Sequence, residues 1–306
     1  MMNAKRFTAT VLALAPIMLP LAATADSPSR DWEAEVGTAL KSYDNFFMTG
    51  DAATQRQRSA LVSTVYAHGE RAFKDGARRW DLEGGVEASF NYDISDADTQ
   101  LFWVGAQTRF NATRAGIELS YEPNRIYSED GDGTFFDETA LTLSVRHEYS
   151  PTLSGELEYE RQRDEFGSDE PGKDADVDEL SGTLRFVVHP QAAIRLFGLW
   201  AEKDARDGAR SWSATGFGTA LEWSPAERWS VFARARLRDR EYDDALPGDS
   251  NFQRDDTIFD ALVNARFQAG RDWGVGGQLE YRDAESTRLD RNYDALTVSL
   301  NAYKQF

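Results

Sequence analysis

The chain has 306 residues, with 34 Lys and Arg against 52 Asp and Glu, no Cys and a formal net charge of −18. Without Cys there is no disulfide framework and no thiolate chemistry, and an acidic balance argues against nucleic acid, whose phosphates favour basic surfaces. Past the N-terminus no apolar run approaches the ~20 residues that a membrane-spanning helix requires.

Lys5 and Arg6 precede an apolar stretch from Val11 to Ala23, and Ala23-Thr24-Ala25 supplies the small residues of a cleavage site. That is the layout of a secretory signal peptide, so residues 1–25 are expected to be removed and 26–306 to form the mature protein.

From residue 32 onward, apolar and polar residues alternate with period two, the mark of strands with one greasy face. In the clearest case Trp80, Leu82, Val86, Ala88 and Phe90 alternate with Arg79, Asp81, Glu83, Glu87 and Ser89. Fourteen such segments follow in chain order: 32–41, 60–70, 80–92, 101–111, 115–125, 139–149, 153–163, 180–188, 193–203, 212–223, 229–240, 257–267, 273–283 and 294–306. Each is close to the ~9–11 residues with which a tilted strand crosses a bilayer. An even count suits a bacterial single-chain barrel.

The connections sort the same way. Short ones, such as Ala112-Thr113-Arg114, Ser150-Pro151 and Pro190-Gln191, alternate with long acidic ones, such as 126–138, 164–179 and 243–256. A soluble sandwich has no reason to segregate its loops, whereas an outer-membrane barrel has short periplasmic turns and long external loops. Aromatics gather at two levels: Trp32, Trp80, Tyr149, Trp223, Trp229, Trp273 and Phe306 toward the short turns, and Tyr92, Tyr121, Tyr159, Trp212, Tyr281 and Tyr293 toward the long loops. Two belts are what two membrane interfaces select. The expected fold is therefore all-β: a transmembrane antiparallel up-and-down barrel of fourteen strands.

With apolar residues toward lipid, the polar partners line the lumen. The acidic candidates are Glu83, Glu87, Glu118, Glu122, Glu156, Glu158 and Glu160, on the third, fifth and seventh strands. The basic candidates are Arg234, Arg236, Arg238 and Arg240 on the eleventh strand and Arg266 on the twelfth. In a ring of fourteen, the eleventh strand lies opposite the fourth, so an acidic wall is expected to face a basic one. Pairing of the arginines with Glu222 or Asp260 is the alternative to a ladder that hands an anionic chain along.

No catalytic constellation is expected, since neither His68, His147 nor His189 has a nucleophile placed beside it. Asp130-Gly131-Asp132-Gly133 lacks the remaining ligands of a calcium loop, so neither metal nor cofactor is expected.

The fourteen amphipathic segments, the acidic loops and the terminal Phe306 together resemble the monomeric outer membrane protein G-type porins. The stretch Asp169-Glu170-Pro171-Gly172-Lys173-Asp174 is also similar to a loop of that family. The resemblance implies a monomeric, non-specific pore for small sugars and other hydrophilic solutes. The partners expected are outer-membrane lipid, lipopolysaccharide and the barrel-assembly machinery. Alternatives are a specific channel or exporter for anionic oligosaccharides, and a non-conducting structural or biogenesis barrel.

Overall fold

The structure, a computed structural model, describes residues 32–45, 59–75, 78–93, 98–127, 134–167, 171–242, 245–249, 251–288 and 291–306. The expected signal peptide, residues 1–25, and part of most long loops, including 128–133, lie outside them. The strands are β1 (Trp32–Tyr43), β2 (Ala60–Asp75), β3 (Arg78–Asn91), β4 (Thr99–Phe110), β5 (Thr113–Tyr127), β6 (Thr134–Ser150) and β7 (Leu153–Phe166). The chain continues through β8 (Ala175–His189), β9 (Ala192–Ala205), β10 (Trp212–Ala226), β11 (Trp229–Glu241), β12 (Asp255–Phe267), β13 (Trp273–Ser286) and β14 (Tyr293–Gln305).

Each strand pairs antiparallel with its chain neighbours, and β14 pairs with β1 from Gln305 against Glu35 to Thr297 against Tyr43. Closure leaves no row of unpaired backbone groups, which hydrocarbon would not tolerate. Among the described residues no helix is long and apolar enough to cross a membrane; the strands are what can cross.

The burial pattern is inverted relative to a soluble protein. On β2 Val65 is 48% exposed, whereas its neighbour Thr64 is 1% exposed. Large apolar side chains such as Leu82, Val104, Ile117, Leu157, Phe217 and Leu300 stand exposed on the outside all round the ring. So wide an apolar surface is stable only against lipid. Inward-facing groups are mostly polar, with small apolar clusters between them, such as Ala220, Phe232 and Leu262 beside Phe197, and Phe136 against Phe166.

All fourteen expected strands are present, and they run past their expected ends chiefly on the long-loop side. There β5 continues to Tyr127, β6 starts at Thr134, β7 continues to Phe166 and β8 starts at Ala175. The reason is physical: a hydrogen-bonded ladder continues beyond the bilayer, where nothing selects for alternation. Two belt assignments are corrected. Trp212 is buried on the inner face against Ala201, Ala214 and Tyr242. Tyr293 shares its face with the buried Ala295. Strict alternation from Ala214 and Ala295 decides both.

Large inward side chains lie along the wall where a neighbouring strand offers a glycine. Tyr66 faces Gly37 across β1–β2, and Trp103 faces Gly85 across β3–β4. A Cβ at Gly37 would overlap the Tyr66 ring, and one at Gly85 would overlap the Trp103 ring.

Candidate functional site: the charged barrel interior

Alternation sends Glu83, Glu87, Glu118, Glu122, Glu156, Glu158, Arg234, Arg236, Arg238 and Arg266 to the inner face, opposite to their exposed apolar neighbours. Their partners differ. Glu83 accepts from Gln107 Nε2 at 3.0 Å. Lys41 Nζ lies 3.3 Å from Glu87 Oε1. Thr99 Oγ1 donates to Glu122 at 3.1 Å, and the Arg125 guanidinium serves both Glu122 and Glu138.

Glu118, Glu156 and Glu158 make no ion pair among the described residues. Glu118 lies within electrostatic reach of Glu83 and Glu160, and Glu158 of Glu156, Glu179 and Glu118. This arc is carboxylate facing carboxylate.

The arginines of β11 are not equivalent. Arg236 donates to Asp260 Oδ2 through Nε at 3.1 Å and Nη2 at 2.7 Å, while Arg282 reaches Asp260 Oδ1 at 2.6 Å. Arg240 stacks 4.4 Å over Trp212 and donates to Tyr242 Oη at 3.2 Å. Arg234 and Arg238 make no ion pair among the described residues, although Asp260 lies within electrostatic reach of both and Glu280 of Arg234, and the Nε of each is buried without a hydrogen bond. Glu222 is taken by Arg185 at 2.7 Å and by Arg195, from β8 and β9, and not by the β11 arginines.

Arg266 reaches across β13 and β14 to β1. Its Nη2 donates to both oxygens of Glu35, at 2.9 and 2.8 Å, and its guanidinium lies 3.9 Å over Tyr303. Tyr66 Oη and Gln305 Nε2 donate to the same carboxylate at 3.0 and 3.1 Å. Glu35, Tyr66, Trp103 and Tyr303 were not singled out from sequence, although inward register was the signal available for each. His68 also faces inward, stacked on Tyr66 with ring centroids 6.2 Å apart. His147 is on the lipid side, bonded to Thr113 at 2.9 Å.

A further cluster sits at the long-loop end. Arg254 donates bidentately to Asp256 at 2.9 and 2.7 Å, lies 4.6 Å over Tyr242 and bonds Asn251 at 3.0 Å. Asn251 in turn donates to the Ala209 carbonyl at 3.0 Å, tying the β11–β12 connection to the β9–β10 connection.

No protein-family model matches the sequence, and no curated protein matches it. Among solved structures the chain is similar to the outer membrane channel DcaP of Acinetobacter baumannii, with a TM-score of 0.53, 10% identity, and 90% and 96% of the two chains covered. It is similar to OmpT, an outer-membrane protein of Vibrio cholerae, with a TM-score of 0.51, 12% identity, and 92% and 99% covered. The anion-selective porin from Comamonas acidovorans gives 0.50, 12% identity, and 90% and 98% covered. The fold is that of outer-membrane porins and channels. A closed barrel wrapped in apolar side chains has its place in a membrane, and for this fold that is the outer membrane.

Proposed function

We propose that the chain is a channel for passive diffusion of small hydrophilic solutes, through a lumen with an acidic wall on one arc and a basic wall on another. One observation carries the reading. Glu118, Glu158, Arg234 and Arg238 all point inward, and none of them is in an ion pair among the described residues. An ionised group in a dry interior costs several kcal/mol unless it is paired. Charges left apart on separate strands are stable if water fills the space between them. Fourteen strands lie between barrels packed with side chains and porins with open channels, nearer the open limit. Opposed charges then set up a transverse field that favours dipolar solutes over apolar ones.

The second reading, passage of anionic oligosaccharides along β11, is favoured by the same two arginines. Asp260 neutralises Arg236, so Arg234 and Arg238 are the ones able to engage a passing anion.

Single-channel recording of the refolded protein in planar lipid, with neutral and acidic oligosaccharides, separates the alternatives. A diffusion channel gives ohmic current and little discrimination among small sugars. Block by acidic glycans that disappears in Arg234→Ala/Arg238→Ala establishes the second reading. Absence of current defeats both and leaves a structural barrel.

A further inference from the structure

We propose that the turn end of the lumen holds a site for a tetrahedral oxyanion, formed by Arg146, Arg185 and Arg195 with the hydroxyls of Ser154 and Thr183. It deepens the channel reading by naming a solute class, and rests on that reading for the route of access.

The sheet register supplies the first argument. Arg114 on β5 stands directly opposite Arg146 on β6, and Arg185 on β8 directly opposite Arg195 on β9. Like charges directly opposite one another destabilise a sheet. Here two such pairs share the inner face at the turn end. Glu222 compensates one of them by bridging Arg185 and Arg195.

The other pair has no such bridge. Arg146 Nη2 donates to Ser154 Oγ at 3.3 Å, and its Nε is buried with no hydrogen-bond partner. Glu156 stands across from Arg146 in register, yet the two form no ion pair. The three guanidiniums of the site against Glu156 and Glu222 leave a surplus of one positive charge, with Arg114 next to Arg146 adding to it, and an oxyanion neutralises that surplus.

Arg146, Ser154, Glu156, Thr183, Arg185 and Arg195 line one shallow recess of the inner wall, where a single anionic group can lie against them. Guanidinium forks match the oxygen spacing of such a group, and two hydroxyls complete the donor set. The oxyanion is either an inorganic ion or the phosphoryl group of a sugar phosphate.

The test is thermal unfolding of the full refolded barrel at constant ionic strength, with chloride replaced stepwise by inorganic phosphate. A ligand that binds only the folded state raises the midpoint with concentration. The expected result is a rise of several degrees that is lost in Arg146→Gln and kept in Arg161→Gln, a variant at an outward-facing loop-end arginine. Arg146→Lys keeps the charge without the fork, so it is expected to need roughly tenfold more phosphate for the same rise; it also serves if Arg146→Gln does not fold. A midpoint that follows ionic strength alone, or a phosphate shift that survives both Arg146 variants, overturns the site. Equal shifts with phosphate and a hexose phosphate assign the site to the oxyanion itself, and a larger shift with the hexose phosphate assigns it to the phosphorylated solute. A barrel that shows the Arg146-dependent shift but carries no current leaves the site standing and removes the channel reading.

Discussion

Asp260, like Glu222 on β10, is a carboxylate on which two inward arginines converge. It is 1% exposed and holds Arg236 and Arg282 at once. Removing one partner of a buried ionic cluster leaves the others uncompensated, so Asp260→Ala is expected to destabilise the barrel by about 3–5 kcal/mol. Urea titration in lipid vesicles measures this. Arg161, with its side chain 50% exposed beside Asp176, is the control: surface pairs contribute about 0–1 kcal/mol, so Arg161→Ala is expected to change little. The period of the arginines on β11 was legible from sequence, and so was Asp260 as a candidate partner. That Asp260 would choose Arg236 and Arg282, and that Glu222 would go to β8 and β9, was not. Those choices depend on register between strands, which one strand's alternation does not specify.

At the scale of the strand, one face meets lipid and the other water or protein. Leu119, near the middle of β5, is exposed outward, while Ser120 points in. Leu119→Arg is expected to cost about 2–4 kcal/mol, the range for a cation on the lipid face at the bilayer midplane. Ser120→Arg is expected to be tolerated far better. Parallel urea titrations of the two variants check the assignment of faces, and equal costs would contradict it.

The glycine joints belong to this scale too. Gly37→Ala forces the Tyr66 ring off the wall, and overpacking of this kind costs about 1–3 kcal/mol. Gly37→Ala/Tyr66→Ala is expected to recover most of that loss, a coupling that a double-mutant cycle measures directly. Glycines at inward positions were visible in the sequence. The rings lying over them were not, because the facing residue comes from another strand.

For the whole molecule, closure turns fourteen amphipathic strands into one barrel. The proposed walls predict opposite effects on ion selectivity in a salt gradient. Arg234→Ala/Arg238→Ala is expected to move the reversal potential toward cation preference, and Glu118→Gln/Glu158→Gln toward anion preference. Both shifts are expected to shrink between about 0.1 M and 1 M salt, as the Debye length falls from ~10 Å to ~3 Å. Shifts of the same sign, or shifts insensitive to salt, would contradict the opposed walls.

Period-two alternation, sorted loop lengths and an even segment count are local properties, and from them the sequence by itself determined the all-β class, the fourteen strands and which face of each turns inward. The sheet closure needed only that every backbone group find a partner in hydrocarbon. Tertiary structure decided what alternation cannot encode. It joined Arg266 of β12 to Glu35 of β1 across two intervening strands, and left Arg146, Arg234 and Arg238 outside any ion pair among the described residues. The reason is that alternation fixes a side chain's direction, whereas its partner is fixed by the stagger and curvature of the closed sheet, which bring strands far apart in the chain to a common level.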